Sequence, residues 1–361
     1  MTDDRNEGLD DAVAATAAGL TPDGLTALLR QEGHDVTVTA LGVEAVGTGQ
    51  MGTSYRLTPT YEGGAGALPA TFVAKVAGGN PAMRGTYAGA YRTEIDFYRD
   101  LAASVDVRVP RCWHSSISED GTEFTLLLDD LAPAVQGDQL AGCDRAAADR
   151  AVANLAGLHG PRWCDPTLVG PLPVVAPDDA AMLGAILAPM TQMFLDRFGD
   201  RIAPEDREVL QQVVPAIGPW VVGRAERFAP VHGDYRLDNL MFAPDEGPVT
   251  ALDWQTVSLG LPGRDLAYFC ATSLTVDDRR AHEGEVVATY YDALLAHGVE
   301  GYSLDQCLDD YRYGLLQAPL VIVMGCGMAA ATERGDHMFM AMTERAGAAI
   351  RDHDPFSLIE R

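Results

Sequence analysis

The sequence predicts an α+β protein in which a sheet-bearing N-terminal part precedes a larger, mainly helical C-terminal part. Three observations carry this. β-type runs, at 36–41, 53–58, 71–76, 107–114 and 124–128, gather in the first 131 residues, with one long helical segment among them; one further apolar strand, 249–252, lies beyond. From 132 onward the apolar spacing turns helical, as in 144–159, where Val152, Leu155, Ala156 and His159 recur at helix spacing. Between the first two β-type runs lies a glycine pattern, Gly47-x-Gly49-x-x-Gly52. The domain layout read from this is an acidic, Ala-rich segment at 1–20, partly disordered, a sheet lobe at 21–131 and a helical lobe at 132–361.

Each element has a local reason. Thr21-Pro22-Asp23 is a helix start, with proline just inside and a capping hydroxyl before it, and that helix runs to about Gln31. The strand 36–41 alternates. The three-glycine pattern by itself would also suit a dinucleotide site, but that reading needs a helix to open at the third glycine. Thr53-Ser54-Tyr55-Arg56-Leu57 is β-type, so the glycines belong to a hairpin. Thr71 to Val76 is a strand carrying Lys75, and 86–103 is a helix with Tyr91, Ile95, Tyr98 and Leu101 on one face and Glu94 among them. A Pro-rich connector at 161–177 leads to two long helices, 178–198 and 204–228. Met190, Met193, Phe194 and Trp220 on these are read as core. The residues after Gly263 look helical throughout, and no internal repeat is visible.

Composition excludes several function classes. There are 52 acidic against 26 basic residues, a formal charge of −26. Nucleic-acid binding draws on clustered cations and counterion release, so no nucleic-acid partner is expected. Six scattered cysteines without a C-x-x-C pair argue against zinc and a disulfide framework and suit a reducing cytoplasm. The start lacks an apolar signal core, and the longest apolar run, 315–331, is interrupted by Gln317 and Pro319, so a buried helix rather than a membrane span is expected there. The sharpest compositional feature is that Lys75 is the only lysine, every other basic residue being arginine. A chain that replaces lysine wherever arginine serves keeps it where a compact ammonium on a flexible stem is required.

The chemistry concentrates in Val231-His232-Gly233-Asp234-Tyr235-Arg236-Leu237-Asp238-Asn239-Leu240 and in the apolar run Val249-Thr250-Ala251-Leu252, which ends on Asp253. Phosphoryl transfer from a nucleotide needs a carboxylate to orient the attacking hydroxyl, and an amide oxygen and a second carboxylate to hold magnesium. Asp234, Asn239 and Asp253 offer those groups in that order. The spacing Asp-x-x-x-x-Asn is that of the protein-kinase catalytic loop, with His-Gly-Asp in place of His-Arg-Asp.

His232-Gly233-Asp234 through Asn239, followed by Leu252-Asp253-Trp254-Gln255, resembles the aminoglycoside phosphotransferase and choline kinase superfamily. The run from Asp253 to Phe269, with Gly263-Arg264-Asp265-Leu266-Ala267, resembles its bacterial branch related to ecdysteroid-kinase-like proteins. The resemblance spans roughly residues 40–270 and implies a bilobal protein-kinase-like fold. It implies ATP as the nucleotide, with GTP as an alternative, and Mg2+ as the cofactor. Gly47, Gly49 and Gly52 would cover the phosphates, and Lys75, aimed by Glu94, would draw on them, with Asp96 as a competitor for Glu94. Leu128 to Leu131, including Asp130, would form the adenine-binding hinge. Asp234 would be the catalytic base, and Asn239 and Asp253 the metal ligands. Arg236 either reaches the γ-phosphate or pairs with an acidic neighbour; His232 and His159 are structural, and Asp265 braces the catalytic loop from below. Trp254-Gln255 stands where protein kinases have Phe-Gly, which argues against a protein kinase and its activation-loop switch.

The expected function is an ATP-dependent phosphotransferase acting on a hydroxyl of a small molecule, aminoglycoside-like or apolar and hydroxylated. The competing reading is a catalytically silent nucleotide-binding scaffold. The acceptor pocket leaves no legible trace, because such pockets diverge on a shared fold.

Overall fold

The computed structural model describes residues 19–47, 52–62, 66, 68–78 and 81–359. The chain divides into two compact units. One comprises the described residues up to Ala103, Val109–Ala132 and Asp253–Gln255; the other comprises Ser104–Arg108, Pro133–Leu252 and the described residues from Thr256 onward.

The first unit is built on a five-stranded antiparallel sheet of order β1-β2-β3-β5-β4. Helix α1 (Pro22–Gln31) begins as expected, the Thr21 hydroxyl accepting from the Gly24 amide at 3.0 Å. Strands β1 (Thr37–Val46) and β2 (Gly52–Glu62) form the expected hairpin, with Val46 opposite Ser54. Gly52 therefore opens a strand, not a helix, which removes the dinucleotide reading. Strand β3 (Phe72–Ala77) pairs with β2 and with β5 (Phe124–Asp129), and β4 (Cys112–Ile117) closes the edge. Phe72, Ala74 and Val76 point into a core shared with Leu25, Leu29, Leu57 and Trp113; strict alternation sends Lys75 to the opposite face.

Two expectations are corrected here. The strand expected at 107–114 begins only at Cys112, because Pro110 has no amide to donate to a ladder. The helix expected over 86–103 is α2 (Arg84–Asp96), followed by a π turn at Phe97–Leu101 and a 3-10 turn at Ala102–Ser104. The apolar spacing runs through all three, so the wider turn is invisible to periodicity. Tyr91, Ile95, Tyr98 and Leu101 are all buried.

The second unit is mainly helical. Short strands β6 (Val135–Gln136), β8 (Leu240–Phe242) and β9 (Val249–Ala251) form one small sheet, and β7 (Ala229–Val231) with β10 (Ser258–Gly260) another. Helix α3 (Arg145–His159) starts at an Asp144 cap, and α4 (Pro177–Phe198) and α5 (Pro204–Val222) follow the Pro-rich connector. Then come α6 (Gly263–Ser273), α7 (Val276–Ala296), α8 (Leu304–Gly314), α9 (Gln317–Met328) and α10 (Glu333–His353). Phe194 and Trp220 are core as expected, whereas Met193 is exposed. Among the described residues no helix is long and apolar enough to cross a membrane.

Candidate active site

In the first unit the sole lysine sits between two carboxylates. Ser54 and Leu126 flank Lys75 in the ladder. Its Nζ lies 2.8 Å from Glu94 on α2 and 3.0 Å from Asp253 Oδ1. The Lys75 side chain is only 14% exposed and Glu94 is fully buried. Burial alone would lower the pKa of the ammonium, but Asp253 and Glu94 outweigh it and hold Lys75 above the ordinary lysine value. Burial pushes the Glu94 carboxyl up, opposed by the Lys75 ammonium. Gly52 lies directly over this lysine: a Cβ there would sit 3.0 Å from Lys75 Cε and 3.4 Å from Cγ. Gly47, at φ +74°, turns the chain out of β1; Gly49 lies outside the described residues. Asp96, the competitor for Glu94, is instead paired with Arg99 on the surface.

Asp253 adopts φ +65°, a left-handed conformation that Asp tolerates better than most residues. The next residue, Trp254, is fully buried and stacks parallel on Phe97 at 3.8 Å between centroids. Phe97 is the first residue of the π turn that follows the Glu94 helix. One aromatic stack thus joins the segment carrying Asp253 to the segment carrying Glu94.

Leu128 and Asp130 are engaged within the unit itself. Leu128 is buried in β5, in register with Val73 on one side and Cys112 on the other. Asp130 takes a two-point ion pair from Arg56, at 2.6 and 3.2 Å, and the Ala132 amide at 3.1 Å. Burial pushes its carboxyl up, but those hydrogen bonds and the Arg56 charge outweigh it and hold the carboxyl below the usual range. These partners make Asp130 a tie between β2 and the end of β5, and Leu128 a ladder residue.

In the second unit β7 delivers the loop His232-Gly233-Asp234. Gly233 has φ +81°, and a Cβ there would meet Thr256 O at 2.8 Å, so only glycine fits. The buried Asp265 carboxylate, at the start of α6, accepts from the His232 amide at 2.5 Å and the Gly233 amide at 2.9 Å. It also meets His159 Nε2 at 3.3 Å, and His159 Nδ1 meets the Tyr290 hydroxyl at 2.7 Å. Despite burial, hydrogen bonding to His159 and the loop amides holds the Asp265 carboxyl below its ordinary value. His232 Nε2 lies 3.0 Å from the Leu252 carbonyl, which can only accept, so that nitrogen carries the proton. Nδ1 then accepts from the Asp234 amide at 3.2 Å. Both histidines are therefore fixed parts of the loop's frame.

Asp234 is surrounded by donors. The Tyr268 hydroxyl donates to Oδ1 at 2.7 Å, and Asn239 Nδ2 to Oδ2 at 2.9 Å. Arg236 lies 3.1 Å from Oδ1 and 3.2 Å from Oδ2. Arg236 also pairs with Asp238, which is held in turn by Arg334 at 2.9 and 3.0 Å. The arginine thus has acidic neighbours for partners. Asn239 Nδ2 also donates to the Asp234 carbonyl, which leaves its Oδ1 as the amide atom open to a cation. The Leu252 amide donates to the Asn239 carbonyl at 2.9 Å, tying the residue before Asp253 to Asn239. An amide oxygen is a hard donor of the kind that Mg2+ takes. Gln255 is buried beside Glu94.

Tyr268 was missed in the sequence. It lies 34 residues after Asp234 inside an apolar helix, where a tyrosine reads as core. The available signal was its place three residues after Asp265, one helical turn further along α6.

The phosphotransferase enzyme family model matches residues 55–303, more than half of the chain. Among solved structures, choline kinase from Cryptosporidium parvum superposes with a TM-score of 0.58 at 8% identity, over 88% of this chain and 92% of that one. The GDP complex of wild-type aminoglycoside 2'-phosphotransferase-IIIa gives 0.54 at 14% identity, over 90% and 98%. These likenesses establish the kinase-like fold. Acyl-CoA dehydrogenase family member 10 of Mus musculus is 49% identical over 53 residues, 14% of this chain, and this chain spans only 5% of that protein's length.

Proposed function

The chain belongs to the phosphotransferase enzyme family, and we propose that it transfers the γ-phosphoryl group of ATP, with GTP as the alternative donor, to a hydroxyl of a small molecule. The observation that carries this reading is the single lysine of the chain, held between Glu94 and Asp253 with Gly52 against its stem.

In this mechanism the sheet unit serves the nucleotide. Gly47, Gly49 and Gly52 serve to cover the phosphates with their amides. Lys75 offers its ammonium to the α- and β-phosphates, with Glu94 holding its aim. Asp253 and Asn239 are the magnesium ligands; the ion, when bound, neutralises phosphate charge. In the helical unit Asp234 accepts a hydrogen bond from the acceptor hydroxyl and takes its proton as the phosphoryl group departs. Arg236 neutralises Asp234 and Asp238 rather than the phosphates. The main chain at the end of β5, Leu128 and Asp130 included, is the adenine-binding hinge of this reading.

Of the two acceptor classes the sequence leaves open, the surface of the helical unit supports the apolar one. Met182, Ile186 and Met193 are exposed along one face of α4, and Met328 is exposed at the end of α9, against which α4 packs. The other end of α9 is at the catalytic loop, where Gln317 Nε2 donates to the Gly233 carbonyl at 3.0 Å. Screening hydroxylated metabolites and antibiotics for MgATP-dependent ADP release tests the reading. Turnover should appear with hydroxylated apolar compounds and stay at background with aminoglycosides. The opposite ranking would reverse the acceptor class, and labelled phosphate on general protein substrates would replace it with a protein-kinase reading.

A further inference from the structure

We propose that Tyr268 is a positioning residue for phosphoryl transfer: its hydroxyl, delivered by α6, fixes which face of the Asp234 carboxylate meets the acceptor. This rests on the reading of Asp234 given above. The Tyr268 side chain is fully buried, and its hydroxyl donates to Asp234 Oδ1 at 2.7 Å. Asn239 holds the other oxygen, Oδ2, at 2.9 Å, and Arg236 bridges both at 3.1 and 3.2 Å. A carboxylate gripped at both oxygens cannot rotate about its Cβ–Cγ bond without breaking a hydrogen bond to a charged group, and such bonds are stronger than those between neutral groups.

The three grips are not equivalent. Arg236 is shared with Asp238, and Asn239 is also the metal ligand of the proposal, so both have competing duties. Among the described residues the Tyr268 hydroxyl donates to Asp234 alone, and burial together with the neighbouring Asp234 charge keeps its phenol protonated well past neutrality. It is therefore a permanent donor. It also sits on the same helix as Asp265, three residues on, whose carboxylate binds the His232 and Gly233 amides. Helix α6 thus holds the loop at two points: Asp265 its main chain, Tyr268 the reacting side chain. Charged or titratable groups facing this pair are Arg236, Asp238 and the His232 imidazole.

The consequence is a separation of rate from binding. Loss of the Tyr268 hydroxyl frees Asp234 to tilt away from the in-line geometry, at the level where displacements of about 1 Å lower rates by roughly 100-fold. The nucleotide groups of the sheet unit are untouched. The test measures MgATP hydrolysis, with water as acceptor, as ADP release from wild type, Y268F and D234N across pH, with ATP affinity by calorimetry and thermal stability in parallel. The expected result is that Y268F lowers kcat about 10- to 100-fold and leaves KM and Kd for ATP within about two-fold. Unchanged kcat in Y268F with D234N inactive would overturn this proposal and leave the phosphotransferase reading standing. Equal falls in kcat and ATP affinity, tracking a lost melting transition, would make Tyr268 merely structural. Wild-type turnover in D234N, or none in wild type, would remove the reading of Asp234 and this inference with it.

Discussion

Single residues carried most of what could be read in advance. Lys75 stood out because the composition left it alone, and Asp234, Asn239 and Asp253 because their types and order match one chemistry. The partners that hold them were harder to see, since Tyr268 and the Phe97–Trp254 stack are formed by tertiary packing between distant segments. Asp130 shows the same limit: nothing in the chain order pointed to Arg56, 74 residues away in the sequence, as the partner of its carboxylate. Asp265 gives a prediction at this scale. Its lowered pKa means that the stability it contributes is fully present above the ordinary aspartate value of about 3.9 and is lost as pH falls below it. D265N would turn an amide NH2 toward the His232 and Gly233 donors and should cost about 2–4 kcal/mol at pH 7. In urea unfolding the gap to wild type should be flat from pH 7 to 5 and narrow below about pH 4. A gap independent of pH would mean that the charge is not what binds the loop.

At the scale of elements, periodicity located helices well but not the turn within one or the closeness between two. The π turn after α2 places Phe97 under Trp254, and a double-mutant cycle with F97L and W254L should give a coupling of about 0.5–1.5 kcal/mol. Additive losses in that cycle would show that the stack ties nothing together. Helices α6 and α8 touch backbone to backbone: a Cβ on Gly314 would fall 2.3 Å from the Gly263 carbonyl, and one on Gly263 would lie 2.6 Å from Asp310 O. G314A should therefore destabilise by about 1–3 kcal/mol in denaturant unfolding, although alanine is the better helix former. A stabilised variant would contradict the crossing. Nothing in the apolar spacing of the sequence marks these two glycines as a crossing.

For the whole molecule, the α+β architecture was legible because most strand-type runs gather in the first 131 residues and helical patterning dominates after them. The acceptor was not legible, because its surface is a scatter of exposed methionines whose meaning depends on which helices lie side by side. The strong acidity does not by itself choose a cationic acceptor, since the exposed apolar face of α4 points the other way. A single lysine makes the whole chain a clean chemical probe. Its ammonium is held protonated by two carboxylates, so amine acylation at Lys75 should run at least about ten-fold slower than for lysine in a model peptide, as peptide mass spectrometry would register. Reaction at the peptide rate would show that Glu94 and Asp253 do not hold it.

The most direct measurement is a single-turnover transfer of labelled γ-phosphate from MgATP to an acceptor found in the screen, with wild type and D234A compared at saturating nucleotide. Label should reach the acceptor with wild type and fall by at least about 100-fold in D234A while calorimetry shows ATP bound equally by both. Transfer undiminished in D234A, or ATP bound by wild type with no label moved to any acceptor, would contradict the account.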